Sequence, residues 1–313
     1  MTTTNCVRLV QSGPFGTIRS VAFAYPSQRL QDWLSQQWVV ALGRRIEPSA
    51  MTWLAAPYGM VDTIGDAYIE GLAASEGLAI ERTASRSRGN GGEAGLFSID
   101  ELGLDEASAG RLHPEIAAFY QGTTGFELEM WVLWSPWFWA GGNLLRRLYS
   151  RRLQQLNLPM NARETSRGLR SEIIRLRTPA GEVRHTIWYR LLKSTGEALY
   201  SGLYGIVDLP SGARCLKIVF PLPRGNATEI FSIAVGPTGD FLLDTGGRRF
   251  GDPGFYFQLV DGGGHHHAQQ IPSFRDRLRV YVDEDGILRA DQVFTLWGRT
   301  VVELRYRMLR RRG

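Results

Sequence analysis

The side chains best placed to do chemistry in this sequence are His185 and Asp252. His185 falls in a strand-like run, Glu182 to Leu192, and alternation puts it on one face with Val183, Ile187 and Tyr189. An imidazole there could act as a general acid or base near neutral pH. The plainer reading is a hydrogen-bonded structural histidine. Asp252 sits in FGDPGFYF, Phe250 to Phe257, flanked by Gly251 and Pro253. Its first role there is turn chemistry, and its second would be a base or ligand at the mouth of a barrel. Cys215 shares a strand face with Lys217 and Val219. A lysine can favour the thiolate, but no base or third residue accompanies the pair. His265, His266 and His267 follow three glycines, and adjacent residues in such a loop do not converge on one ion, so no metal site is expected. There is no GK[ST], HExxH or GxSxG segment, and no cofactor is implied.

Binding chemistry is concentrated between Phe126 and Pro159, where four of the nine tryptophans (Trp131, Trp134, Trp137 and Trp139) stand close together. Indole offers large buried area and one donor. The cluster could therefore pack as core, line a pocket for an apolar ligand, or dip into a membrane surface. Tyr189, Tyr200, Tyr204 and Tyr256 would be the polar handles of such a pocket. Leu144, Leu145, Leu148, Leu153 and Leu156 recur at helical spacing, with Arg146, Arg147, Arg151 and Arg152 on the polar side. That pattern predicts an amphipathic helix over Leu144–Leu156, stopped by Pro159, and a candidate membrane or partner surface.

The elements that must hold these residues divide the chain in two. Residues 1–95 read as helical and irregular, with short strands near residues 7–10 and 18–23. A helix follows Pro26-Ser27 with an apolar stripe from Leu30 to Leu42. Another opens at Asp62-Thr63, where Thr63 and Asp66 resemble a capping box, and ends at Gly77. Arg82 to Gly95 is polar and glycine-rich, as in a loop or linker. Residues 96–313 form the β-rich part, which could make a single domain with the first. Pro114 suits the first turn of a short helix before Phe126. Beyond Arg170, ten strand-like runs alternate with turn signals such as Ala180-Gly181, Arg224-Gly225-Asn226 and Asp285-Gly286. Short links require antiparallel neighbours, and a sheet of that size curls or closes. The expected fold class is α+β and β-dominated: a long antiparallel meander forming a curved sheet or barrel, with N-terminal helices and one amphipathic helix packed on it.

Composition sets the outer limits. The chain has 313 residues, 43% hydrophobic and 21% charged, as globular chains do. Two distant cysteines argue against a disulfide framework and fit a reduced, cytoplasmic setting. The N-terminus lacks an apolar leader segment, and the longest apolar run is too short to span a bilayer as a helix. The net charge of +5 is spread along the chain rather than gathered on one segment, which argues against nucleic acid as a partner.

Five phrases belong together: LHPEIAAFYQGTT (Leu112 to Thr124), LQQLNLPMN (Leu153 to Asn161), FPLPRGNATEIF (Phe220 to Phe231), FGDPGFYF, and VYVDEDGILRADQVFTLWG (Val280 to Gly298). As a set, over residues 50 to 308, they resemble an uncharacterised family of bacterial proteins. The β half is also similar, more weakly, to lipocalin-like or START-like ligand-binding domains. The first likeness implies no activity and no site residues; the second implies strands wrapped around an apolar cavity. The leading functional expectation is binding of an apolar small molecule or lipid in a sheet or barrel cavity, between the tryptophan stretch and the inner sheet face. Two alternatives stand beside it. One is an enzyme of specialised or lipid metabolism using His185 or Asp252 for proton transfer. The other is a peripheral membrane or partner-binding protein using Leu144–Leu156.

Overall fold

The structure is a computed structural model that describes residues 30–59, 64–84, 93–150, 153–160, 162–165 and 167–311. Its strands are β1 (Arg44–Ile46), β2 (Ala79–Ala84), β3 (Phe126–Trp134), β4 (Leu169–Arg177), β5 (Val183–Leu192), β6 (Ala198–Asp208) and β7 (Arg214–Leu222). They continue as β8 (Gly225–Val235), β9 (Phe241–Asp244), β10 (Gly254–Val260), β11 (His266–Gln270), β12 (Phe274–Val282), β13 (Leu288–Leu296) and β14 (Arg299–Arg310). Ten of them close into an antiparallel barrel in the order β3-β4-β5-β6-β7-β8-β9-β12-β13-β14, with β14 returning to β3. Closure removes sheet edges, the outcome expected of so long a meander.

Two features of the ring do not follow from hairpin order. β8 changes partner along its length: Gly225 to Ile230 pair with β10, and Ser232 to Val235 pair with β9. β9 then pairs with β12, which seals the ring, while β10, β11 and β1 continue outside it as a flap. The seam between β3 and β4 is narrow, with Leu128 opposite Leu169 as its one register pair. β2 lies along the rest of β4.

Alternation sorts the side chains. Leu304, Tyr306 and Met308 of β14, Val280 of β12 and Ile218 and Phe220 of β7 face one interior core. Ile116, Phe119 and Tyr120 of helix α4 (Pro114–Gln121) join that core; the Phe119 ring packs on Phe126 and Trp188, and that of Tyr120 on Phe241. Outside the barrel, helix α2 (Gly65–Glu76) lays Tyr68, Ile69 and Leu72 over Ile174, Ile187 and Tyr189. Trp53 and Leu54 cover Cys215, Ile230 and Tyr256 in a third cluster. Residues 44–84 thus contribute strands, a helix and core to the same sheet as the β-rich part.

Several local expectations are corrected. The strands expected near residues 7–10 and 18–23, and Asp62 and Thr63 of the capping box, lie outside the described residues. α2 begins at Gly65 with Ile64 at its N-cap, and Asp66 pairs with Arg82 at 2.7 Å instead of capping. It ends at Gly77, whose φ of 65° suits a residue without a Cβ. Helix α1 (Leu30–Leu42) forms, but Leu30, Leu34 and Leu42 are exposed while Asp32 and Val39 are buried, so its stripe faces outward. The helix expected to run to Leu156 is α5 (Pro136–Leu145) followed by a π-helical turn to Ser150. In it Leu144 and Leu148 are exposed and Arg146 is buried, because Asn157 and Glu164 take the guanidinium: Nε donates to Asn157 Oδ1 at 2.8 Å and Nη2 pairs with Glu164 at 2.7 Å. The histidine loop is instead largely the strand β11. His267 and His265 both meet the carboxylate of Asp261, at 3.0 and 3.3 Å.

Candidate apolar chamber and buried polar cluster

The segment Leu153–Leu158 does not continue the helix, and the reason is a gap in the barrel wall. β6 and β7 pair from Leu203–Val219 upward, leaving Ser201 and Pro221 without each other. Gln155 fills the gap. Its carboxamide donates to Ser201 O at 2.9 Å and Pro221 O at 3.3 Å, and accepts from Ser201 N at 2.9 Å. Asn157 N then donates to Leu199 O at 2.8 Å. Holding Gln155 inward requires left-handed backbone on both sides, φ 52° at Gln154 and 51° at Leu156, each costing about 1 kcal/mol or more for a residue with a Cβ.

This segment forms one wall of a half-open chamber of about 380 Å³, bounded otherwise by α1, α5, the β7–β8 turn and β10. That volume lies in the range of small-molecule sites. Trp134, Leu153, Leu156, Leu158, Phe257 and Leu259 make its surface apolar. Three of the polar side chains in the wall, Gln155, Gln258 and Arg146, are engaged elsewhere. Gln155 serves the strands. Gln258 donates to Leu54 O at 3.0 Å and Asn226 Oδ1 at 2.8 Å, and Arg146 is held by Asn157 and Glu164. Trp134 turns its Nε1 away to Pro159 O at 2.9 Å and presents its ring. Gly142 permits this, since a Cβ there would stand 2.5 Å from the Trp134 ring. A chamber with committed polar groups favours CH-rich guests over water.

A second feature lies inside the barrel. Arg190 of β5 is buried, its guanidinium stacked between the rings of Trp188 and Tyr200 at 3.7 Å from each centroid. Glu229 of β8 and Asp276 of β12 are buried near it. Burial, reinforced by the charge of Asp276, raises the Glu229 carboxyl well above its usual range. Burial likewise pushes Asp276 up to about 8. Asp276 accepts from Gln292 Nε2 at 2.6 Å, and Gln292 Oε1 accepts from the Tyr306 hydroxyl at 3.4 Å. Arg190, Glu229, Gln292 and Tyr306 line a cavity of about 60 Å³, which Asp276 meets through Gln292. A carboxyl raised above its usual range, four phenols (Tyr120, Tyr200, Tyr204 and Tyr306) and a guanidinium make it rich in donors.

The residues singled out from sequence distribute as follows. Of the tryptophans, Trp134 lines the chamber; Trp131, Trp137 and Trp139 stand at the surface, Trp137 87% exposed. The chamber therefore lies beside the barrel wall, not between the tryptophan run and the inner sheet face. Tyr200 and Tyr204 line the interior cavity. Tyr189 is on the outer face beneath α2, its phenol pushed up to about 12 by burial. Tyr256 belongs to the third cluster and donates to Asp252 O at 2.6 Å. His185 also faces outward and meets Glu76 of α2 at 2.9 Å. Asp252 accepts from Arg249 N at 2.9 Å and Arg248 N at 3.2 Å, a turn arrangement. Neither His185 nor Asp252 lines the chamber or the interior cavity. The Cys215 thiol is pushed up to about 11 by burial and so is a poor nucleophile. Lys217 does not serve it; Nζ donates to Trp53 O at 3.0 Å and Ala55 O at 2.7 Å.

Arg190, Glu229, Asp276, Gln155 and Gln292 were not anticipated. For the two carboxyls a signal existed: Glu229 stands between Ala227 and Phe231 and Asp276 between Phe274 and Leu278, each in the apolar phase of its strand, whereas both phases of β5 are mixed and hide Arg190. Among the described residues no cluster of potential metal ligands is present, and no helix is long and apolar enough to cross a membrane. No protein-family model, curated protein or solved structure matches this chain, so its fold and these two sites carry the functional argument.

Proposed function

We propose that the protein binds an apolar small molecule or lipid in the chamber between α1, α5, the Leu153–Leu158 segment and the barrel wall. One observation carries the reading: a chamber of about 380 Å³ whose wall is mostly apolar and in which Gln155, Gln258 and Arg146 are already hydrogen-bonded into the fold. Its guest would be held by burial of apolar area, at about 25 cal/mol per Å² removed from water. The test is native mass spectrometry of the purified chain, then solvent extraction and small-molecule analysis. A stoichiometric apolar compound is expected, and it should be lost from Leu156→Trp, which fills the chamber. Retention of the compound by a folded Leu156→Trp would place it elsewhere.

A second reading, attachment to a membrane surface, is favoured by a different observation. Trp131, Leu133, Trp137, Trp139, Leu144 and Leu148 are all exposed on β3, α5 and the π-helical turn after it, which also carries exposed Arg147. Indoles beside a cation suit a headgroup interface. Co-sedimentation with anionic liposomes, lost on Trp137→Ala and weakened by Arg147→Glu, is the expected outcome; indifference to both changes overturns it.

A further inference from the structure

We infer that the barrel interior is a binding site for a small carboxylate, held edge-on by Arg190 and reached past Tyr204. The observation behind this is a buried cation whose donors lack an acceptor. Arg190 makes one long hydrogen bond, Nη2 to the Tyr204 hydroxyl at 3.4 Å, and its Nε is buried without a partner. Among the described residues no carboxylate is within ion-pair distance of it. Trp188 and Tyr200 cover both faces of the guanidinium, so acceptors can approach only in its plane. That geometry suits a planar carboxylate better than a tetrahedral anion with its oxygens out of plane.

The rest of the cavity agrees with this. Burial opposes ionisation of Glu229, which lines the cavity, and of Asp276 beyond Gln292, so neither competes for Arg190 and Glu229 can donate to an anion. Size sets the guest. At about 10–15 Å³ per water in this measure, the 60 Å³ cavity holds on the order of four waters, or a carboxylate of similar bulk. A single side chain separates the cavity from an outer cleft. Tyr204 is the wall shared by the cavity and an outer cleft of about 610 Å³. Arg175 and Arg184 line that cleft, with Glu101 the acidic group among them, so its field favours anions. None of the interior lining residues lines the apolar chamber, so this site and the proposed function stand or fall separately.

The experiment is calorimetric titration of the full chain with acetate and propionate, with propionamide and propylammonium as the neutral and cationic isosteres. Propionate should bind saturably at one site and raise the melting temperature, and the isosteres should not. Arg190→Gln should weaken propionate about tenfold or more. Should that variant not fold, the wild-type Arg190 Nε–H resonance answers the question, because it should move on titration with propionate and stay still with propionamide. The proposal is overturned if neither carboxylate binds, if propionamide binds as tightly, if binding survives Arg190→Gln, or if the Nε–H resonance does not respond.

Discussion

Lys217 carries its ammonium under the Trp53–Ala55 segment rather than in solvent, and burial lowers its pKa to about 8. The folded pKa is below the unfolded one, so the unfolded chain binds more protons between about pH 8 and 10.5 and stability rises with pH across that window. Wild type minus Lys217→Met should show this rise in melting temperature. The chain has two lysines, Lys193 and Lys217, so a carbon-13 methylation titration should resolve a midpoint near 8 for Lys217. Asp276 works in the opposite sense. Its folded pKa of about 8 exceeds the ordinary 3.8, so the native state holds the extra proton and stability is lost as pH rises from about 4 through 8. Asp276→Asn keeps an acceptor for Gln292 and cannot ionise. It should match wild type near pH 4 and exceed it at pH 8 by on the order of 1–3 kcal/mol, read from denaturant melts. A pH-independent difference would refute the assignment. At this scale the sequence was informative where side chains follow the phase of their strand and misleading where they break it. The tryptophans drew attention by number, yet burial falls on Arg190 and Glu229, whose importance depends on neighbours far away in the chain.

The Leu153–Leu158 segment shows why an element can be read correctly in pattern and wrongly in form. Its leucines do keep helical spacing, but helix would leave Ser201 and Pro221 without partners in the wall. Gln155 supplies them, and two left-handed residues are tolerated in return. Gln155→Leu should destabilise the chain by about 2–4 kcal/mol, because it orphans buried backbone groups on two strands. Gln154→Gly, which relieves φ 52°, should be neutral or stabilising by up to about 1 kcal/mol in the same melts. Gly142→Ala should instead push the Trp134 ring out of place and shift tryptophan fluorescence. The ten strands after Arg170 were legible because turn glycines and alternation act locally; β11 was not, because a histidine run has no strand signature and is ordered by β1 and β10 on either side.

Across the whole molecule, hairpin order accounts for most neighbours in the barrel, while the two long-range joins, β9 to β12 and β14 to β3, are set by how the ring closes. The N-terminal third is woven into this sheet through β1 and β2, so removing residues 1–95 should expose the faces covered by Trp53 and α2. The truncated chain is expected to lose cooperative melting and to bind a hydrophobic dye, whereas a sharp transition at the wild-type temperature would mean that the barrel stands alone.

The lone Leu128–Leu169 pair makes the barrel a hoop with a clasp. Its neighbours around the ring are joined by extended ladders, so a change in girth costs least at this seam. Phe119 of α4 sits against Phe126 at the start of β3 and Trp188 of β5, beside the clasp. A looser seating of α4 would therefore let the interior widen at this join before any other pair of strands was strained.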